Sequence, residues 1–175
     1  GRHADAGARA LIIAGDLVQR DVEPGSVVPP LVDALRTITE RLPILAIYGN
    51  HDAAVGLADA MPGIDNVSAV DSVTPVKVRF PGLPLVFHCC SVASEPDLRA
   101  IADTFPVADQ PDGHVGVFHT SLHGGFRESR CLPASLDQLA SRNYAAWILG
   151  HVHTALTLRE QPPIFWPGQG EMRCL

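Results

Sequence analysis

Seven side chains of types that bind metal ions or move protons stand where apolar runs of this chain break off: Asp16, Asn50, His51, Asp52, His119, His151 and His153. The densest group is Gly49-Asn50-His51-Asp52, which follows directly on the apolar stretch from Pro43 to Tyr48. Taken alone, Gly-Asn also fits a turn, since both residues tolerate left-handed backbone angles. The other sites argue for more than a turn. Asp16, Asn50, His119 and the pair His151/His153 each close a separate apolar segment, and strand ends of an α/β sheet are common places for polar groups to meet. Alternate side chains of an extended segment share a face, so His151 and His153 are expected to point together. One carboxylate, one amide oxygen and three imidazoles make an oxygen and nitrogen set without thiolate. Such a set suits Mn²⁺, Fe or Zn²⁺ better than Ca²⁺ or a structural zinc held by cysteines.

The elements that must position these residues can be read in order. Residues 10–14 (Ala-Leu-Ile-Ile-Ala) form a short buried strand ending in Gly15-Asp16. Pro29-Pro30 opens a helix with Leu31, Leu35, Ile38 and Leu42 at helical spacing, and residues 44–48 form a second buried strand. This strand–helix–strand order places Asp16 and the Gly49–Asp52 group at the same sheet edge. A short helix is expected over 53–61, then strands over 66–70, 75–80 and 83–90, the last two as a hairpin around Pro81-Gly82. Ser94 is read as the cap of a helix carrying Leu98, Ile101, Ala102 and Phe105. Residues 115–118 deliver His119, Ser135 caps a helix within 132–143, and 145–149 run into Gly150-His151. Strands over 155–159 and 163–166 follow, so the second half is rich in strands. The expected fold is α/β, a two-sheet β-sandwich flanked by helices.

Composition narrows the function classes. With 175 residues, 46% hydrophobic and 18% charged, the chain reads as a single globular domain rather than a disordered segment. It has no run of about 20 apolar residues, so a spanning helix is not expected. A net charge of −6 and a single lysine, Lys77, argue against strong nonspecific DNA binding by this chain alone. Cys89, Cys90, Cys131 and Cys174 show no metal-type spacing and read as idle thiols of a reducing, cytoplasmic setting.

In this order and strand context, Gly15-Asp16, Gly49-Asn50-His51-Asp52, His119 and Gly150-His151-Val152-His153 resemble the later motifs of the calcineurin-like metallophosphoesterases. The stretches "LIIAGDLVQRD", "ILAIYGNHD", "VGVFHTSLHG", "YAAWILGHVHT" and "PIFWPG" are similar to the DNA repair exonuclease branch, SbcD type. The resemblance implies two divalent ions, Mn²⁺ first with Fe or Zn²⁺ as alternatives. Asp16 would bridge them, Asn50, His119 and His151 would complete one shell, and His153 would bind the other ion. His51 would donate the proton or stabilise the transition state, with Asp52 fixing the loop. DNA is the implied substrate and a coiled-coil ABC-type ATPase the implied partner.

The family pattern opens with an Asp-x-His strand, and no such motif precedes Asp16. His3-Ala4-Asp5 is reversed, too near the next strand and without an apolar run. The chain therefore reads as a nuclease domain over 1–175 truncated at its first strand, with one metal site incomplete and low activity. Two other functions stay open: a phosphoesterase of nucleotides or other small phosphates, and a noncatalytic scaffold. Several residues have plainer readings. His123 competes with His119 but suits a groove or solvent position. His88 and His114 read as structural or solvated, and Trp147, Trp166 and Phe165 as packing residues. Arg20, Arg127 and Arg130 flank the motif loops, where contact with phosphate competes with the simpler reading of surface arginine.

Overall fold

The computed structural model describes residues 7–123 and 131–168; the His3–Asp5 stretch, Arg127, Arg130 and Cys174 lie outside them. Strand β1 (Leu11–Ala14) pairs in parallel with β2 (Ile44–Ile47), and β2 pairs in parallel with β3 (Val67–Val70). A strand covered on both faces reads as a continuous apolar run. The central strand β2 is covered in this way, with all four residues buried, while the equally apolar β1 is half-buried at one edge of this sheet.

Helix α1 (Pro24–Thr39) links β1 to β2 and buries Val32 and Leu35. It begins earlier than the expected start at Pro29-Pro30, because Pro24 already occupies the first helical positions, where a missing N–H costs nothing. The carbonyls that Pro29 and Pro30 leave unpaired belong to Gly25 and Ser26, both exposed to water. Instead of one helix over 53–61, two short ones form, α2 (Asn50–Ala54) and α3 (Leu57–Ala60), separated by Gly56 in a left-handed conformation. The first starts at Asn50 because the Asp52 carboxylate accepts the Gly49 N–H at 2.8 Å.

The chain then crosses to a second sheet. Its order is β4 (Val76–Val78), β5 (Val86–Cys90), β6 (His114–His119), β7 (Ala146–Gly150), β9 (Pro163–Trp166) and β8 (Leu156–Glu160). The outer pairs β4–β5 and β8–β9 are antiparallel, and the inner four strands are parallel. Leu45, Ile47 and Val70 of the first sheet meet Phe87, Val117, Ile148 and Phe165 of the second, forming the sandwich core. The opposite face of the second sheet buries Phe105, Phe118, Tyr144, Trp147 and Trp166 against α4 (Leu136–Ala140). The α/β two-sheet sandwich flanked by helices is thus the observed fold. Helix α4 is shorter than 132–143 but capped as expected: Ser135 Oγ accepts from Gln138 N at 3.0 Å, and Gln138 Oε1 from Ser135 N at 2.9 Å. Among the described residues no helix is long and apolar enough to cross a membrane.

The Ser94-capped helix does not form. Asp97 instead folds the segment around itself, accepting from Ala93 N at 2.9 Å and from Arg99 Nε at 2.8 Å and Nη2 at 2.6 Å. Its carbonyl accepts from Leu132 N at 2.7 Å. Short polar side chains that satisfy nearby backbone compete with helix in this way. Only a 3₁₀ turn (Ala102–Thr104) remains, and Leu98, expected on the apolar face, is 57% exposed.

Burial alone would raise the Asp97 pKa, but the Arg99 guanidinium and the two N–H donors bring it below its ordinary 3.8. A depressed carboxylate pKa stabilises the fold above the unfolded value and is lost as pH falls beneath it. Asp97→Asn should therefore lower stability at pH 7 by about 1.5–3 kcal/mol, the worth of charge-assisted hydrogen bonds. The gap between variant and wild type in urea melts should shrink below pH 4.

Candidate metal centre

Four strand ends from both sheets converge on His119. Its Nε2 lies 3.0 Å from Asn50 Oδ1 and 3.4 Å from Asp16 Oδ2. Asn50 Oδ1 is also 3.0 Å from His151 Nδ1, and the two imidazoles meet edge to face with centroids 5.3 Å apart. The structure therefore brings together Asp16, Asn50, His119 and His151, from the ends of β1, β2, β6 and β7.

Proton accounting shows what this cluster fits. His119 Nδ1 is 2.8 Å from the Ala14 carbonyl, which can only accept, so Nδ1 carries the N–H. Asn50 Nδ2 donates to Glu95 Oε1 at 3.1 Å, which turns the amide oxygen toward the histidines. The Nε2 lone pair of neutral His119 then faces an amide oxygen and a carboxylate, and only a positive charge reconciles three acceptors. That charge is a second proton on His119 or a cation among the ligands. Metal–ligand bonds of about 2.1 Å separate ligand atoms by about 3.0 Å at right angles and about 3.4 Å at tetrahedral angles. The observed 3.0 and 3.4 Å spacings match both, so these residues fit a divalent ion. The Ala14 carbonyl behind His119 fixes the tautomer such a ligand needs.

Two glycines make the convergence possible. A Cβ on Gly49 would collide with Asp16 Oδ1 and come within 2.6 Å of His119 Cε1. On Gly150 it would strike the Ala14 carbonyl and reach His119 Nδ1 at 2.5 Å. The glycines before Asn50 and His151 thus clear the space in which strand tips of the two sheets touch.

Asp52 is fully buried and accepts from Gly49 N at 2.8 Å, Val18 N at 3.0 Å and Leu17 N at 3.1 Å. It ties the loop after β1 to the start of α2. Burial pushes its carboxyl above the ordinary value despite these three donors, and the nearby Asp16 charge adds to the rise. For Asp16 burial also acts upward, but the hydrogen bond and charge of His119, with His51 behind them, bring it below the ordinary value. Asp16 Oδ1 additionally accepts from His51 N at 3.1 Å. The His51 ring turns toward Arg20, whose Nη2 is 3.0 Å from its Nε2.

His153 stands apart from this cluster in its exposure. His151 adopts φ 94°, so the chain leaves β7 in a turn rather than an extended segment, and side-chain alternation does not carry from His151 to His153. His123 is exposed, as its groove or solvent reading supposed. His88 and His114 pair at 2.8 Å and stack with Tyr144 at the far end of β6 from His119. Burial first, then the charges of His114, Lys77 and Arg79, hold the His88 pKa down to about 4.

Sequence reasoning missed Cys131. Its sulfur and the ring nitrogens of His119 and His151 all lie within 4.8 Å of one another, a possible metal-binding triad. The thiol donates to the His119 carbonyl at 3.6 Å, and burial, with the nearby carboxylates of Asp97, Asp16 and Glu95, pushes its pKa up. No CxxC or other spacing in the sequence marks it, because the chain reaches it through the Asp97–Leu132 contact. Glu95 was likewise missed as the partner of Asn50 and Arg20.

Against known proteins, the family model for calcineurin-like phosphoesterases matches residues 3–155. The chain is also similar to the uncharacterized metallophosphoesterase YhaO of Bacillus subtilis (strain 168), at 24% identity over 170 residues. That alignment covers 93% of this chain but only 41% of the relative.

Removing a ligand should weaken metal binding at least as much as removing a residue behind one, about 10–100-fold. Asn50→Ala and His119→Ala should both show this loss for a divalent metal ion in calorimetric titrations. Gly150→Ala should produce a comparable loss without removing any ligand, because the added methyl group forces Ala14 and His119 apart.

Proposed function

Because this chain belongs to the calcineurin-like phosphoesterase family, we propose that it is a metal-dependent phosphodiesterase, acting on DNA in the manner of a repair exonuclease. The observation that carries this is the meeting of Asp16, Asn50, His119 and His151 in a set that calls for a cation. Those four side chains would hold one ion. Asp16 and His153 would contribute to a second, whose remaining ligands belong to an Asp-x-His segment that this chain does not carry before Asp16. The ions would be Mn²⁺, with Fe or Zn²⁺ as alternatives.

A bound ion supplies Lewis acidity and a water acidic enough to yield hydroxide. The chain's own residues do the rest. The His51 backbone N–H, 3.1 Å from Asp16 Oδ1, holds that carboxylate in place. Asp52 locks the turn that presents Asn50 and His51. His51, one residue from Asn50, would give a proton to the departing sugar oxygen, a contribution of typically about 10²–10⁴-fold.

The chain spans 41% of the curated relative it matches, so the activity and partners of a longer protein are part of the proposal. A coiled-coil ABC-type ATPase would supply DNA affinity that a net charge of −6 does not. The same acidity favours, as a second reading, a nucleotide or other small phosphodiester as substrate. Buried free thiols at Cys89, Cys90 and Cys131 accord with the reducing cytoplasm that we assign to it.

The test compares Mn²⁺-dependent hydrolysis of linear duplex DNA and of bis(p-nitrophenyl) phosphate. This chain should bind one ion and stay near background, while a longer chain carrying an Asp-x-His strand should cleave DNA. Full activity of the short chain would contradict the one-ion reading. Cleavage of the small diester alone by the longer chain would favour the second substrate class.

A further inference from the structure

A cavity of about 160 Å³ lies between α3 and the chain segments that leave β3 and β5. None of the four residues gathered at the metal centre lines it. Its apolar wall comes from Leu57, Val92 and Tyr48, all of them buried. The backbone of Tyr48 is satisfied on both sides. Its N–H donates to Ser91 Oγ at 2.7 Å, and its carbonyl accepts from Val92 N at 3.0 Å. The hydroxyl is what remains: Tyr48 is only 4% exposed, yet its O–H makes no hydrogen bond among the described residues. A buried tyrosine ordinarily pairs that group. Two exposed carboxylates, Asp59 and Asp71, line the same cavity, and neither has an ion-pair partner among the described residues.

Size and lining together select a ligand. A dry cavity of about 150 Å³ accepts a benzene ring, so a single ring or a short apolar stem fills this one. Two uncompensated carboxylates repel anions, phosphate esters included, and attract a positive group. The cavity is therefore unsuited to the substrate of the metal centre. We propose that it is a binding site for a small organic ammonium ion. The apolar body packs on Leu57 and Val92, and the ammonium faces Asp59 and Asp71. An ammonium has three donors and no acceptor, so one N–H is left for the Tyr48 hydroxyl oxygen. This site goes beyond the phosphodiesterase reading and does not rest on it.

The test titrates benzylammonium into the chain at pH 7, with benzyl alcohol and benzoate as probes of the same shape but different charge. NMR follows the binding, with and without Zn²⁺. Benzylammonium should bind about 10-fold more tightly than benzyl alcohol, benzoate should not bind, and the Tyr48 ring signals should move. Asp59→Asn and Asp71→Asn should each weaken benzylammonium about 2–5-fold, as for an exposed charge pair. Tyr48→Phe should weaken it about 2–10-fold, as for one neutral hydrogen bond. Ala58→Leu, which puts a larger side chain against the cavity from α3, should abolish binding with little change in the urea midpoint. Failure of benzylammonium to bind, equal affinity for the three probes, or wild-type affinity in Ala58→Leu would overturn the site. So would unchanged affinity in both Asn variants, or binding that needs Zn²⁺, which would put the probe at the metal centre.

Discussion

Three electron-pair donors face one another at the ends of strands from two different sheets, and much of the molecule exists to hold them there. The Nε2 of His119, the amide oxygen of Asn50 and the Asp16 carboxylate would repel one another in an uncharged state. A proton or a cation must sit among them. The surrounding fold keeps the donors from relaxing apart: β2 is buried on both faces, His119 is fully buried, and its Nδ1 is tied to the Ala14 carbonyl. Pre-placed ligands need little reorganisation when an ion binds, which is how a scaffold contributes to metal affinity.

The cluster is supported from behind on two sides. On one, Asp52 gathers three backbone N–H groups from the loop after β1 and from the start of α2. A fully buried carboxylate with a raised pKa needs these donors, which tie the loop to the helix start. On the other, Glu95 orients the Asn50 amide and anchors Arg20. The Asp97 turn, which replaces the expected helix, carries the segment holding Glu95 past the site and bonds to Leu132 beside Cys131.

Cys131 shows how burial decides between packing and ligation. Its sulfur is near both histidines, but burial and the carboxylates around it favour the neutral thiol, which donates to the His119 carbonyl. A thiol held this way ties the His119 backbone, and it becomes a ligand only for an ion able to displace its proton. Oxygen and nitrogen donors already in place suit Mn²⁺ or Fe, whereas recruitment of Cys131 would tilt the site toward Zn²⁺.

The sequence by itself determined the strands that carry Asp16, Asn50, His119 and His151, because short unbroken apolar runs such as Ile44–Ile47 are the mark of strands covered by other layers of the fold. It also determined the ligand types and the glycines that let them approach. Local pattern failed where longer-range contacts won. Residues 94–105 have a good cap and apolar spacing, yet Asp97 and Arg99 bind the backbone and each other instead. The extended pattern after Gly150 breaks at the left-handed His151, so His153 stands exposed. Only the tertiary structure decided that Glu95, Arg20 and Cys131 belong to the site. Their neighbours are 31 residues away or more for Arg20 and His51, and 45 for Glu95 and Asn50. No periodicity records a contact that forms only once two sheets have packed face to face.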